Sequence, residues 1–432
     1  MTCPKSIDCA FIWWALGNYE LARSFFIERS VIMQANNLTA RIKQYRRDLH
    51  QIPELGFDLF KTHAYVKQAL ESMGYTPLRI AKTGLLVHIP GEQTDAIAFR
   101  ADMDGLSIHE ETNVSYQSIH QGVMHACGHD GHMAILLGLA ELLKESYRPK
   151  KSIVLIFQPA EEGPGGAKVI VQSGILEKYN VKHIYGMHLY PNLEQGKIGL
   201  VDGLMMSEIS EYDVMIKGKG AHGAEPYNGI DAINASIVLI QAFKKLIQTT
   251  IKDASNAILN VGTLQAGETR NSVAELAAFT GTIRTFKHED YLAITQGMVD
   301  AVKHIETTHH VHITLDIKNY YPPVINNHTL YTTMKSSLSQ NKYYDIQPLM
   351  VSEDFAYYQQ AIPGLFMMLG TKDGRTNHAY PLHSSRFNFD DTLLISGVET
   401  YIDILMLNNI FENSVYYNHS LSPKSNQAIE RF

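Results

Sequence analysis

Short apolar segments alternate with helical patterns through the first half of the chain, and this alternation limits the folds open to it. The segments that read as strands are residues 84–89, 96–100, 152–157 and 184–188, and helical spacing occurs at 38–55, 62–73 and 165–173. Strands that are apolar on both faces belong to sheets that helices cover on both sides. Binding sites in such sheets form at the carboxyl ends of the strands. The sequence therefore predicts an α/β domain with a site at that edge.

A different order of elements begins near Glu211. Alternating residues predict strands around Tyr212 and at 258–265, 273–284 and 311–317, with helices at 231–250 and 288–307. The order β-α-β-β-α-β is that of the ferredoxin-like unit. We therefore predict an inserted α+β domain at 208–318, between two parts of the first domain at 38–207 and 319–412. Residues 1–37 are then an N-terminal extension, and 413–432 a tail expected to be disordered.

Composition narrows the choice of partner. The net charge of −7 lacks the clustered positive excess that a nucleic acid or an anionic membrane demands, and no apolar stretch is long enough to span a bilayer. We expect a small-molecule partner, no nucleic acid and no membrane. The cysteines, Cys3, Cys9 and Cys127, cannot form a disulfide framework, which indicates a reducing, cytoplasmic location. Residues 9–16 (CAFIWWAL) are apolar, so a signal peptide is an alternative, but a helical extension packed on the surface is favoured.

One turn concentrates metal-binding side chains. His125, Cys127, His129, Asp130 and His132 fall within eight residues, and the almost unbroken apolar run 133–143 follows. Sulfur, imidazole and carboxylate together suit a divalent transition metal. The turn alone leaves a chance cluster as an alternative, so further ligands have to come from elsewhere in the chain.

Further polar residues follow the predicted strands. They are Asp102 and Asp104, the adjacent Glu161 and Glu162, His188, and, farther along, His383. Neighbouring side chains on a loop diverge, so one glutamate can bind a metal while the other acts as general base. A solvated loop is the alternative for a Glu-Glu pair. The apolar strand before this pair and the Gly-Pro-Gly-Gly after it favour the site.

Seven blocks of sequence carry a resemblance to a known family. In order they are RADMDG, HACGHDGH, QPAEEGPGGA, GMHLYP, GKGAHGAEP, RNSVAE and VSEDFAYY, spread over residues 38–406. The set resembles the M20 metallopeptidase family, specifically the amidohydrolase branch of N-acyl-amino-acid, hippurate and IAA-amino acid hydrolases. The resemblance implies a zinc-peptidase-like catalytic domain, a mixed sheet with helices on both faces, and an inserted ferredoxin-like lid and dimerisation domain.

The resemblance also implies roles for single residues. The ligands of two divalent ions, Mn or Zn, are Cys127, His129, Glu162, His188 and His383. Glu161 is the general base, Asp102 orients a ligand imidazole, and His222 stabilises the oxyanion, in related enzymes often from the lid of a second subunit. Asn271 and Arg284 hold the substrate carboxylate, although a structural salt bridge is the alternative for Arg284. For His132 we expect a hydrogen bond rather than a metal contact.

The implied activity is hydrolysis of the amide of an N-acyl amino acid, hippurate-like or N-acetylated. The nucleophile is a metal-bound hydroxide, with a glutamate as general base. The alternatives are an N-acetyl-diaminopimelate deacetylase, an M20 carboxypeptidase or dipeptidase, and a metal-binding inactive homologue. The general base, for which a mere binder has no use, argues against the last. The resemblance implies a homodimer formed through the lid domain.

Two features depart from the family pattern. The branch commonly has histidine after the proline of the lid loop, where this chain has Tyr227, and Glu225 adds a carboxylate there. This leaves the preferred acyl group open. The N-terminal extension is also outside the pattern. A separate group, His304, His309, His310 and His312, looks like a metal cluster but lies at a helix exit, and we interpret it as lid surface.

Overall fold

A computed structural model describes residues 37–144, 149–337, 342–375 and 378–410. Its strands are β1 Leu78–Ile80, β2 Gly84–Ile89, β3 Gln93–Asp102, β4 Lys151–Gln158, β5 Val181–Glu194, β6 Ile198–Leu200, β7 Gly203–Met206, β8 Glu208–Lys217, β9 Ala221–His222, β10 Ala257–Ala266, β11 Ser272–Val273, β12 Leu276–Thr285, β13 His312–Tyr321, β14 Val324–Asn326, β15 Tyr343–Asp345 and β16 Gly364–Lys372. The longer helices are 37–50, Phe60–Ser72, His129–Leu143, Ala232–Thr250, His288–His309, His328–Ser337 and Leu394–Leu407; shorter ones are Gly166–Gln172, Ile175–Lys178 and Ala356–Ala361.

Eight strands form one mixed sheet, in the order β1-β2-β4-β3-β5-β16-β6-β15. The central strands β4, β3, β5 and β16 run parallel to one another. Toward the two edges, β1 pairs antiparallel with β2, β2 with β4, and β6 with β16. The parallel centre places the carboxyl ends of β3 and β4 at one edge. The predicted α/β fold class is confirmed.

Both faces of this sheet are covered, which explains the apolar strands. Along β3, Ile97 and Phe99 belong to the core on one face, and Ala96 and Ala98 to the core on the other. The first core contains the apolar helix His129–Leu143, which packs beside the helices 37–50 and Leu394–Leu407. A Cβ on Gly138 would lie 2.8 Å from Ile42 and 3.0 Å from Val398, so these helices approach closely at a residue without a side chain.

Four antiparallel strands form a second sheet, in the order β10-β12-β8-β13. The helices Ala232–Thr250 and His288–His309 pack on it around Tyr212, Phe243 and Phe279. This is the ferredoxin-like order of elements. The domain boundaries at 208 and 318 stay predictions.

Three local predictions need correction. The first helix ends at residue 50, where a turn and then Pro53 follow, and not at Leu55 as predicted. The predicted strand 273–284 is two strands, because pairing breaks between Val273 and Leu276. His188 was expected at a strand end, but β5 continues to Glu194 because β16 still pairs with it there.

Several predictions fall wholly or partly outside the described residues. Of the predicted N-terminal extension 1–37, only residue 37 is among the described residues. The predicted tail 413–432 lies wholly outside them. Among the described residues, no helix has the length and apolar character required to cross a membrane.

Candidate metal centre

Several segments bring polar side chains to the carboxyl edge of the large sheet. Asp102 ends β3, and Glu161 and Glu162 lie in the turn after β4. His129 begins its helix directly after Gly128, which adopts φ of +87° and so turns the chain from Cys127 into the helix. His188 lies within β5. Parallel strands that end at one edge explain why residues so distant in sequence meet.

The five predicted ligands form one cluster of donor atoms. Cys127 Sγ lies 3.4 Å from Nε2 of His188 and 3.3 Å from Nε2 of His383. Nε2 of His383 is also 3.2 Å from Oε1 of Glu162. Two groups with ligand atoms within 4.8 Å of one another are Cys127-His129-His188 and Cys127-Glu162-His383. The thiol belongs to both, so the arrangement suits two cations that share one sulfur.

The hydrogen bonds of the imidazoles fit metal binding. His129 donates from Nδ1 to the backbone oxygen of Asp104 at 2.8 Å, and His188 uses Nδ1 on the backbone oxygen of Leu189 at 2.7 Å. Nε2 of His188 is thereby free to offer a lone pair, as in metal-binding histidines whose other nitrogen is held. Burial lowers the pKa of His129, but Asp102 and Asp104 outweigh it and the pKa rises to about 10, so a cation has to displace a proton from this imidazole. Nε2 of His129 is buried and has no hydrogen-bond partner among the described residues. A buried nitrogen of this kind is what a bound cation satisfies.

Local charges also suit cations. Burial lowers the pKa of His188 to about 3, which keeps its imidazole neutral. Burial raises the pKa of Glu162, but His383 and His129 outweigh it and the net shift is downward, so this carboxylate is ionised. Burial and the carboxylates of Glu162 and Glu161 raise the pKa of the Cys127 thiol. A coordinated cation acts in the opposite direction, because it deprotonates a thiol. The donor set therefore fits divalent cations.

Glu161 lies in different surroundings from Glu162. Its carboxyl group is buried, with one oxygen 3.9 Å from Nε2 of His129, and groups closely with Glu353 and Asp354. Burial and the Glu353 carboxylate raise its pKa well above the ordinary value. A carboxylate with a raised pKa retains a proton more readily, as a general base that must hand one on requires.

Asp102 makes its short hydrogen bond to His132, which is not one of the predicted ligands, and lies farther from the predicted ligand His129. Its Oδ1 lies 2.6 Å from Nδ1 of His132 and 3.8 Å from Nδ1 of His129. Nε2 of His132 in turn accepts the backbone N–H of Leu189, at 2.9 Å. Both nitrogens of His132 are thus engaged in hydrogen bonds. From Asp102 the hydrogen bonds continue through His132 to the backbone of Leu189, the residue after the predicted ligand His188.

Sequence reasoning missed the buried arginine of the site. Arg100 contacts Asp102 at 2.8 Å, Gln158 at 2.9 Å, Glu353 at 2.9 Å and Asp354 at 2.8 Å. Its guanidinium therefore neutralises part of the charge around Glu161 and ties three segments together. The available signal was an arginine inside an apolar strand, since a buried arginine needs carboxylate partners.

His222 and Asn271 lie together at the short β9–β11 pair. His222 pairs with Ser272 between β9 and β11, and Gly223 N–H donates to the Asn271 backbone oxygen at 2.7 Å. Both side chains are exposed. Among the described contacts of this chain, neither residue touches a predicted metal ligand or Glu161.

Arg284 lies in β12 of the second sheet, and its side chain contacts the segment that precedes Glu353. From β12 it donates to Ser352 Oγ at 3.2 Å, next to Glu353, and burial lowers its pKa. No carboxylate pairs with it among the described residues, so the salt bridge considered from the sequence is not observed there.

The histidines that were interpreted as lid surface are largely solvent-accessible. His304, His310 and His312 are exposed and His309 is half-buried.

An α/β sheet with two overlapping donor groups and a buried carboxylate beside them is the arrangement expected of a hydrolase that uses divalent metal. The chain belongs to peptidase family M20/M25/M40, whose model matches residues 98–407. Within that family it is a metallo-amidohydrolase.

Its relatives share most of its length. The chain is 36% identical to an N-acetyl-L-cysteine deacetylase of Bacillus subtilis, over 91% of this chain and 93% of that one. It is 35% identical to an N-acetyldiaminopimelate deacetylase of Priestia megaterium, over 79% and 91% of the two chains. A crystal structure of a dinuclear metal-binding peptidase of the M20 family from Bacillus subtilis superposes with a TM-score of 0.73 at 31% identity, covering 87% of this chain and all of that one.

Proposed function

We propose that the chain removes the acetyl group from N-acetyl amino acids, releasing acetate and a free amino acid. The observation that carries the proposal is the contrast between two adjacent glutamates. Glu162 lies 3.2 Å from His383 in a group of metal donors, while Glu161 is buried among carboxylates that raise its pKa. The deacetylase names of the relatives support a small acyl group.

The residues of the chain then divide the work. The five donors would hold divalent cations, which would supply Lewis acidity toward the amide carbonyl and toward water. Glu161 takes the proton from the attacking water and delivers it to the leaving nitrogen, so that the amine departs neutral. Arg100 limits the charge that builds up around this proton transfer, because it contacts Glu353 and Asp354 at 2.9 and 2.8 Å.

Two ions of manganese or zinc are the proposed cofactors. A thiolate, imidazoles and a carboxylate form a mixed donor set of the kind that such metals accept. The shared Cys127 thiolate would reduce the repulsion between two cations. The dinuclear metal-binding neighbour supports two ions rather than one.

The remaining predicted residues bind the substrate. Arg284 binds the substrate carboxylate, for which its guanidinium is suited because it pairs with no carboxylate among the residues that the structure describes. Asn271 and His222 act from the lid of a second copy of the chain, because they are exposed and do not touch the metal donors of their own chain. A homodimer formed through the lid domain is therefore part of the proposal. The cysteine content supports a cytoplasmic location.

N-acetyl-diaminopimelate is a second candidate substrate, which the Priestia relative supports. The test is hydrolysis, with manganese or zinc supplied, of N-acetyl-L-cysteine, N-acetyl-diaminopimelate, hippurate and a dipeptide. We expect turnover of at least one acetylated substrate to exceed that of hippurate and the dipeptide. Absence of turnover for the whole panel contradicts the proposed function, and a clear preference for the dipeptide points to a peptidase instead.

A further inference from the structure

Asp104 contacts three residues of the metal centre at once. Its Oδ1 accepts the backbone N–H of Glu161 at 2.9 Å, and its Oδ2 that of Glu162 at 3.0 Å. Its backbone oxygen accepts Nδ1–H of His129 at 2.8 Å. The side chain is buried. Because Asp104 lies just after β3, these bonds join the segments that follow β3, β4 and Gly128.

The turn with the two glutamates depends on this carboxylate. Ala160 adopts φ of +58°, and its carbonyl oxygen accepts the N–H groups of Gly165 and Gly166 at 3.1 and 2.9 Å, which closes the turn. The N–H groups of Glu161 and Glu162 instead take Asp104 as their acceptor. A buried N–H left without an acceptor is unfavourable, so the aspartate stabilises the turn in this form.

A carboxylate is suited to this position in a way that an amide is not. The two N–H groups bond to different carboxylate oxygens, at 2.9 and 3.0 Å, and an asparagine in the same position would place its NH2 group, a donor, at one of them. The negative charge is unfavourable beside Glu161 and Glu162, but two hydrogen bonds to the anion offset part of that cost. An aspartate buried next to two other carboxyl groups is therefore explained by the bonds it makes to their backbone.

We propose that Asp104 is a positioning residue that keeps Glu161 and Glu162 in their separate roles. It fixes the peptide unit between them, so that the Glu162 carboxylate faces His383, at 3.2 Å, while Glu161 stays near His129, at 3.9 Å. The inference rests on the proposed function, since it concerns the same site. It assigns Asp104 no contact with metal or substrate.

The test is Asp104→Asn. The variant removes one acceptor from the turn, so we expect the weaker-bound metal ion to lose about 10–100-fold in affinity, as is typical when a residue that orients a ligand is changed. The bond to His129 survives, because it uses the backbone oxygen. The measurement is calorimetric titration of the metal-stripped chain with Mn²⁺, together with kcat, KM and the melting temperature.

Asp391→Asn is the matched control. Asp391 is also a buried aspartate, paired with Arg46 and with Arg47 at 2.8 Å, and it touches no predicted metal ligand. We expect this control to lower the melting temperature and to leave both metal affinities unchanged. A merely structural Asp104 would behave like the control. Mn²⁺ affinities of Asp104→Asn within about threefold of the wild type, a difference below 1 kcal/mol, overturn the proposal.

Two further readouts keep the test decisive. If Asp104→Asn does not fold, hydrogen exchange of the metal-loaded wild type decides, because the N–H groups of Glu161 and Glu162 should be protected although they lie in a turn. Exchange at the rate of exposed turn residues overturns the proposal. Metal affinity reports on Asp104, whereas turnover of acetylated substrates by the wild type reports on the proposed function, so failure of one is distinguishable from failure of the other.

Discussion

At the scale of single residues, the site is governed by an excess of buried carboxyl groups. Glu353 illustrates this: burial raises its pKa, Arg100 opposes the rise, and Asp102 and Asp354 add to it, so that the pKa reaches about 8. A carboxyl group whose pKa is higher in the folded chain than its ordinary value of 4.5 binds more protons when folded. Its protonation therefore stabilises the fold at low pH.

This shift predicts a pH-dependent effect of Glu353→Gln. The stabilisation is complete below about pH 4.5 and is lost as the pH rises to about 8, where the carboxyl group ionises among Arg100, Asp102, Asp354 and Glu161. Glutamine mimics the protonated form at every pH. We expect the variant to melt at least about 2 °C above the wild type at pH 9 and at an equal temperature at pH 5. A difference that is independent of pH contradicts the prediction.

At the scale of single residues, the sequence indicated some residues of the site and missed others. The motifs that contain Cys127, His129 and Glu162 indicated a metal site from their residue types, whereas the ligand role of each residue came from the family resemblance and stays a prediction. Arg100 and Glu353 were not predictable, because their function depends on contacts between β3 and a segment some 250 residues later. Adjacent motifs are visible in a sequence, whereas a charge network that spans distant segments needs the fold.

At the scale of elements, the start of the helix His129–Leu143 sets the position of a ligand. Gly128 adopts φ of +87°, and a Cβ there would lie 2.9 Å from Leu189 Cδ1. Leu189 follows the predicted ligand His188 and donates its N–H to His132. The glycine therefore allows both the turn and the close approach of β5.

Two glycine substitutions separate the effect of the left-handed turn from the effect of the close approach of β5. Gly122 also has positive φ, +78°, but nothing lies within 4 Å of a Cβ there. We expect Gly122→Ala to lower the free energy of unfolding by about 1–2 kcal/mol, the cost of left-handed backbone for an L-residue, with metal affinity unchanged. Gly128→Ala should cost more and should also weaken Mn²⁺ binding. Equal Mn²⁺ affinities in the two variants, measured by titration, would count against this account of the turn.

The elements themselves were largely predictable. Apolar strands such as β4 show their burial on both faces, and the ferredoxin-like order appeared in the alternation from Glu211 to Ile317. The break between β11 and β12 was not predictable, because it depends on pairing: Ser272 pairs with His222, whereas Leu276 pairs with Lys217. Periodicity reports which face is buried, but not which strand is the neighbour.

At the scale of the whole molecule, the exposed His222 raises the question of which copy completes the site. If two copies exchange lids, Glu161 of one chain works with the His222 of its partner. Two inactive variants, Glu161→Gln and His222→Asn, then complement each other in mixed dimers. After dissociation and reassembly at equal amounts, we expect about a quarter of the wild-type activity, because half the dimers are mixed and each contains one intact site.

The same mixture regains no activity if each chain uses its own His222. Activity at the summed level of the two separate variants contradicts the exchange, and a chain that stays monomeric by light scattering excludes it. His222→Asn mixed with wild type serves as the control for reassembly. We expect the single variants to retain their metal, because neither residue is among the five predicted ligands.

The central claim is that adjacent glutamates have different tasks, and paired variants test it most directly. For Glu161→Gln we predict a fall in kcat of about 10²–10⁴, the usual contribution of a general base, with two metal ions per chain retained. For Glu162→Gln we predict loss of at least one ion. Metal content and kcat measured on the same preparations decide: loss of metal from Glu161→Gln, with metal retained in Glu162→Gln, would contradict the account.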